Sequence, residues 1–148
     1  MDFKIYQFDD LSARILYDVL KLRVDVFVVE QNCPYPEIDG LDQQSIHLLY
    51  SENDAILAYA RLVPAGLKYE FPSIGRVIVH EEARGRGLAK QLLEKSIDYI
   101  SEQWQAQAIQ LQGQVYLQEF YQSFGFQPTS ESYDEDGIPH VDMKWTRN

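Results

Sequence analysis

Arg84, Gly85, Arg86 and Gly87 stand between an apolar β-rich run, Ser73 to His80, and an amphipathic run that ends at Trp104. Two glycines that let backbone approach a ligand, two guanidiniums and the first turn of a helix suit a pyrophosphate, because amides from about Arg86 through Leu88 to Ala89 point outward under a favourable dipole. The competing reading is a tight strand-to-helix turn in which the glycines serve backbone geometry alone. Groups able to move a proton lie elsewhere: Glu30, Asp39, His47, His80 and His140. His47 shares a strand face with Leu49, as a satisfied, half-buried histidine would, while His80 beside Glu81 reads as solvated. Arg61 and Arg76 alternate inside β-type runs, where a guanidinium needs a carboxylate or ligand partner. Glu30, Asp39 or a carboxylate on a bound substrate would serve. Cys33 is the single cysteine, which excludes a disulfide framework and a cysteine metal cluster and makes a reducing, cytoplasmic compartment the default.

The elements that must position these residues fit one domain over 1–148. Hydrophobic residues make up 45% and aromatics 13% of the 148, with ten tyrosines, which marks a chain with a real core. Thirteen Lys and Arg against twenty-three Asp and Glu leave a net charge of −10, a field that repels nucleic acid and anionic membrane. Against it, Arg84 and Arg86 form a local exception suited to one small anionic ligand. The acids of a long Pro- and Gly-bearing loop from Gln31 to Gln44, with Glu30, Glu37, Asp39 and Asp42, either bind a cationic substrate or are simply solvated. The N-terminal residues have neither a basic region nor a long apolar stretch, so no leader or spanning helix is expected.

Periodicity predicts a strand over Phe3 to Phe8, then a core-facing helix from Leu11 to about Val29 with Asp10 as N-cap. A hairpin joins Ile46–Tyr50 to Ala55–Val63 through Ser51 to Asp54. The strand Ser73–His80 then sends Arg76, Ile78 and His80 one way and Gly75, Val77 and Val79 the other. After the helix to Trp104, Ala108 to Gln114 alternates as a strand, so the helix is a right-handed crossover between parallel partners. A short helix over Leu117 to Phe124 stops at Gly125, Tyr133 to Pro139 is acidic and turn-rich, and Val141 to Thr146 closes the chain. The order is β-α-ββ-β-α-β-α-β-β, an α/β class with helices on a mixed sheet.

Arg84-Gly85-Arg86-Gly87-Leu88-Ala89 fits the Gln/Arg-x-x-Gly-x-Gly/Ala pattern of the GCN5-related N-acetyltransferases, and Phe120-Tyr121-Gln122-Ser123-Phe124-Gly125-Phe126 resembles that family's second signature. Val26 to Tyr35, Ile38-Asp39-Gly40 and Glu135 to His140 resemble its ElaA-type branch, so the likeness covers most of the chain. The resemblance implies a fold with a splayed central sheet and acetyl-CoA as cosubstrate, with no metal. Its pyrophosphate would sit on residues 84–89, and its pantetheine arm would run beside the fourth strand at Val77, Ile78 and Val79, with Tyr116 nearby. It further implies direct attack by a small-molecule or peptide amine, with Tyr121 protonating the departing sulfur; an aromatic core residue is the other reading of that tyrosine. Glu30 and His140 are the candidate bases, and Asp39, Arg61, Arg76 and His47 the candidates for holding acceptor. Relatives of this kind often form homodimers. A non-catalytic acyl-CoA sensor, or transfer of a longer acyl chain, would keep the same signatures.

Overall fold

A computed structural model describes residues 3–148; Met1 and Asp2, part of the expected domain and of the N-terminus read as lacking a leader, lie outside the described residues. The strands are β1 (Phe3–Gln7), β2 (Ile46–Glu52), β3 (Ala55–Val63), β4 (Ser73–Val79), β5 (Ala108–Gln114), β6 (Gln127–Pro128), β7 (Tyr133–Glu135) and β8 (Ile138–Thr146), and the helices α1 (Ala13–Val24), α2 (Leu88–Glu102) and α3 (Gln118–Gln122). They form one eight-stranded sheet in the order β1-β2-β3-β4-β5-β8-β6, with β7 on β8. Every pairing is antiparallel except that of β4 with β5.

The two faces of the sheet carry separate cores. On one, α1 sets Val19 against Leu49, Tyr59 and Ile78. On the other, α2 sets Leu88, Leu92, Leu93 and Ile100 against Leu48, Ala60, Leu62 and Ile74. The β2–β3 hairpin turns on Asn53 and Asp54, both with positive φ (51° and 64°), the backbone that a two-residue turn matched to strand twist requires.

Three expectations change. Helix α1 is capped by Ser12, whose hydroxyl accepts from the Ile15 amide, rather than by Asp10, which lies in a preceding 3-10 turn. Its regular winding ends at Val24, and Asp25–Glu30 continues as a wider turn in which Gln31 N–H donates to Val26 C=O and Cys33 N–H to Val28 C=O. Such i→i+5 segments cluster at functional sites. Third, the acidic stretch after Tyr133 is a hairpin, turning at Asp136 and Gly137 with φ 53° and 82°. The last strand therefore starts at Ile138, and the chain has one strand more than expected.

Strand β4 also departs from simple alternation. Gly75 pairs with Arg61 and Ile78 with Tyr59, so Arg76 and Val77 together oppose Ala60 alone. This is a β-bulge, and Arg76 sits in it with φ +52°. Past it, Arg76 and Ile78 do oppose Val77 and Val79 as expected, but Gly75 shares the face of its partner Arg61. Ile74 and Ile78, four residues apart, consequently enter opposite cores.

Candidate active site

Beyond the bulge, β4 and β5 separate. Their only register pair is Ser73 with Gln110, and the opened space is a cleft of about 790 Å³. The wide turn at the end of α1 brings Phe27 and Glu30 to it, β4 supplies Arg76, Val77, Ile78 and Val79, and the far wall carries Gln112, Gln114, Tyr116, Tyr121 and His140.

Arg84, Gly85, Gly87, Leu88 and Ala89 line one end. Gly85 and Gly87 hold φ of +86° and +77°, a region that disfavours any side chain, and open space surrounds both Cα atoms. Gly87 is the N-cap of α2 and has no side chain to cap with; the first helical bond runs from the Gln91 amide to its carbonyl, 3.2 Å. The amides of Leu88, Ala89 and Lys90 therefore lack helical acceptors, which is what a phosphate needs.

The arginines divide. Arg84 stays at the cleft, its Nε donating to the Val79 carbonyl at 3.0 Å and its Nη2 to Glu30 at 3.1 Å. Arg86 leaves the cleft for Glu52 at 2.5 Å. The sequence treats the two as equivalent; the structure places only Arg84 against the expected ligand. The Arg84–Glu30 pair is exposed and costs little to exchange for a phosphate.

Tyr121 is both a core residue and a cleft residue. It is buried, its ring meeting Phe120 and Phe126 edge-on. A Cβ on Gly113 of β5 would lie 3.0 Å from its Cε2, so the ring occupies the space that glycine leaves. Burial, then the neighbouring Tyr116 hydroxyl, push its pKa up to about 12, which keeps the phenol protonated. Tyr116 itself is 76% exposed at the rim.

His140 donates Nδ1–H to the Ile138 carbonyl at 2.7 Å, which leaves Nε2 as the basic nitrogen. His47 lines no part of the cleft. It is 0% exposed, with Nε2–H donating to the Asp42 carbonyl (2.9 Å) and Nδ1 accepting from the Tyr59 hydroxyl (2.6 Å), and burial lowers its pKa. It is the satisfied histidine that its strand position allowed.

Asp39, Arg61 and Arg76 answer mainly to one another. Glu37 Oε2 accepts from Arg23 Nε and Arg76 Nε, both at 2.7 Å; Asp42 accepts from Arg23 (2.6 Å) and Arg61 (3.0 Å); Asp39 accepts from Arg61 (2.7 and 2.8 Å) and Arg76 (3.3 Å). Tyr35 also donates to Glu37. Burial alone would raise the pKa of Asp39, but the hydrogen bonds and charge of Arg61 outweigh it and hold the carboxyl well below the usual range. Three guanidiniums thus balance three carboxylates, so this part of the acidic loop presents no net negative charge to a cation. The remainder of the loop spans the cleft, with Gln31 accepting from Gln114 (3.3 Å) and Cys33 Sγ donating to the Asp136 carbonyl (3.3 Å).

Sequence reading missed Phe27, Tyr35, Lys68, Tyr69, Gln112, Gln114 and Glu135 on the cleft wall. The one available signal was alternation: Gln112 and Gln114 share a face of β5 beside the crossover. Among the described residues no group of three or more His, Cys, Asp or Glu could hold a metal ion, and no helix is long and apolar enough to cross a membrane.

Comparison with known proteins places this geometry among relatives. The family model described as an acetyltransferase (GNAT) domain matches residues 17–147. Protein ElaA of Escherichia coli K12 is 47% identical over 136 residues, covering 90% of this chain and 89% of its own. The crystal structure of E. coli ElaA superposes with a TM-score of 0.91 at 42% identity, covering 98% and 99% of the two chains. An acyl-CoA N-acyltransferase from Pseudomonas aeruginosa superposes with a TM-score of 0.93 at 38% identity, covering 99% and 100%.

Proposed function

The chain belongs to the GNAT acetyltransferase family, in its ElaA-type branch, and from that membership we propose that it transfers an acetyl group from acetyl-CoA to an amine by direct attack in a ternary complex. The observation that carries this is the cleft itself: a parallel pair reduced to one register position, closed at one end by uncapped helix amides and flanked by a buried phenol. Those amides, with Arg84, take the pyrophosphate. Val77 stands outside the β3–β4 ladder, and Val79 faces Ala58 in a pair whose ladder bond is made next door, from the His80 amide to the Leu57 carbonyl (2.8 Å), so the backbone groups of both valines turn from β3 toward the pantetheine arm, with Arg84 on the Val79 carbonyl.

His140 Nε2 accepts one proton from the bound ammonium, with Glu30 at the rim as the second candidate base. The neutral nitrogen attacks the thioester carbon. As the C–N bond forms and the C–S bond breaks, Tyr121 gives its proton to the sulfur and recovers one from the new amide nitrogen. Coenzyme A leaves as the thiol, and each turnover releases one proton. A phenol near pKa 12 is a weak donor to a thiolate of pKa ~8.5 in water, but the burial that raises the phenol also raises the basicity of an uncompensated thiolate beside it.

The test is thiol release from acetyl-CoA across a panel of amines. Amine-dependent release supports the reading. Tight coenzyme A binding with only slow hydrolysis would replace it with a non-catalytic acyl-CoA sensor.

A further inference from the structure

The ionised side chains lining the cleft are mostly paired within the chain. Arg61 and Arg76 face Asp39, Asp42 and Glu37, and Arg84 faces Glu30. Lys68 and Glu135 line the same cleft, and among the described residues neither has an ion-pair partner. Lys68 stands on the connection between β3 and β4, its ammonium 5.7 Å from the centre of the Tyr69 ring. Glu135 ends β7 on the opposite wall, where its Oε2 accepts from the neutral Gln112 amide at 3.0 Å. One free cation and one fixed carboxylate therefore face a shared space from the two diverging halves of the sheet. Asp136 also lines it, from the tip of the β7–β8 hairpin.

We propose that the acyl acceptor is a small free amino acid, its carboxylate held by Lys68 and its ammonium by Glu135, an inference that rests on the acyl-transfer reading above. Polycations fit poorly, because the carboxylates of Glu37, Asp39 and Asp42 are already committed to three arginines. A dianion would meet Glu135, Asp136 and the net charge of −10. A zwitterion meets one opposite charge at each end. Lys68 is exposed at the rim, where partial desolvation, then Arg76 and Arg61 near by, lower its pKa, so an arriving carboxylate relieves a crowded cation.

The experiment measures thiol release from acetyl-CoA by the full chain with L-amino acids, the matching carboxamides and putrescine. Free acids are expected to exceed their carboxamides by about tenfold or more in kcat/KM, chiefly through KM. Lys68→Met is expected to narrow that preference to within about twofold, and Glu135→Gln to raise KM for acids and carboxamides alike. Carboxamides or putrescine turned over as well as the acids, or Lys68→Met acting equally on acid and carboxamide, would overturn the inference while leaving acyl transfer intact. Release with none of the amines would overturn the acyl-transfer reading itself, and this inference with it.

Discussion

Replacing Arg76 by alanine and, separately, by glycine divides what its side chain does from what its backbone does. Both variants lose the bonds to Glu37 and Asp39, and the network falls from three cations to two. Breaking a buried pair costs about 3–5 kcal/mol. Here Glu37 keeps Arg23 and Tyr35, and the Arg76 side chain is 13% exposed, so a loss of about 2–3 kcal/mol common to both variants is expected. The difference between them reports the backbone. A side chain in the left-handed region costs about 1–2 kcal/mol, while glycine loses about 0.5–1 kcal/mol more chain entropy on folding. Arg76→Gly is therefore expected to be more stable than Arg76→Ala by about 0.5–1 kcal/mol. Denaturant unfolding reads the difference, and thiol-release kinetics read its consequence: glycine keeps the bulge that frees Val77 and retains the larger share of kcat. Equal loss in the two variants, or an advantage for alanine, would refute the view that the ion pairs hold a strained bulge and would return Arg76 to direct acceptor binding.

Other outcomes follow from the same geometry. Gly113→Ala places a methyl group 3.0 Å from the Tyr121 ring, and is expected to cost about 1–3 kcal/mol of stability with a fall in kcat that exceeds any change in KM. Tyr121→Phe is expected to lower kcat by about 10²–10⁴ while coenzyme A affinity, by calorimetry, stays within about twofold. Asp39 has a folded pKa below its unfolded value, so its stabilisation is present above about pH 4 and is lost as pH falls toward the folded value, on the order of 2 kcal/mol. Urea midpoints measured from pH 5 downward should decline less steeply in Asp39→Asn than in the parent chain.

Local signals carried much of the architecture. The two-residue turn at Asn53 and Asp54, the glycine at the start of α2, the period of α2 and the alternation of β5 are each written within a dozen residues, and the structure follows them. The bulge was hard to read, because the glycine that borders it, Gly75, is not the residue that takes the unusual backbone. An arginine holds the left-handed conformation there, and the groups that restrain it, Glu37 and Asp39, lie 39 and 37 positions away. Asp39 was legible as a partner for Arg61 and Arg76, and both pairs form; the shares of Glu37, Asp42 and Arg23 were hidden, because composition displays charges and only the fold assigns their partners. Ser12 and Asp10 were both competent caps, and the 3-10 turn at Phe8–Asp10 decided between them. The cleft motifs at 84–89 and 120–126 were legible as a pair, but the opposite directions taken by Arg84 and Arg86 depend on Glu30 and Glu52.

The most direct test of an acyl-CoA site between β4 and β5 is a calorimetric titration of coenzyme A into the parent chain and into Gly87→Glu. The account predicts one saturable site in the parent and no detectable binding in the variant, since the variant sets a carboxylate, on a backbone with φ +77°, at the amides that take the pyrophosphate. Absence of binding to the parent, or equal affinity in the two proteins, would contradict it.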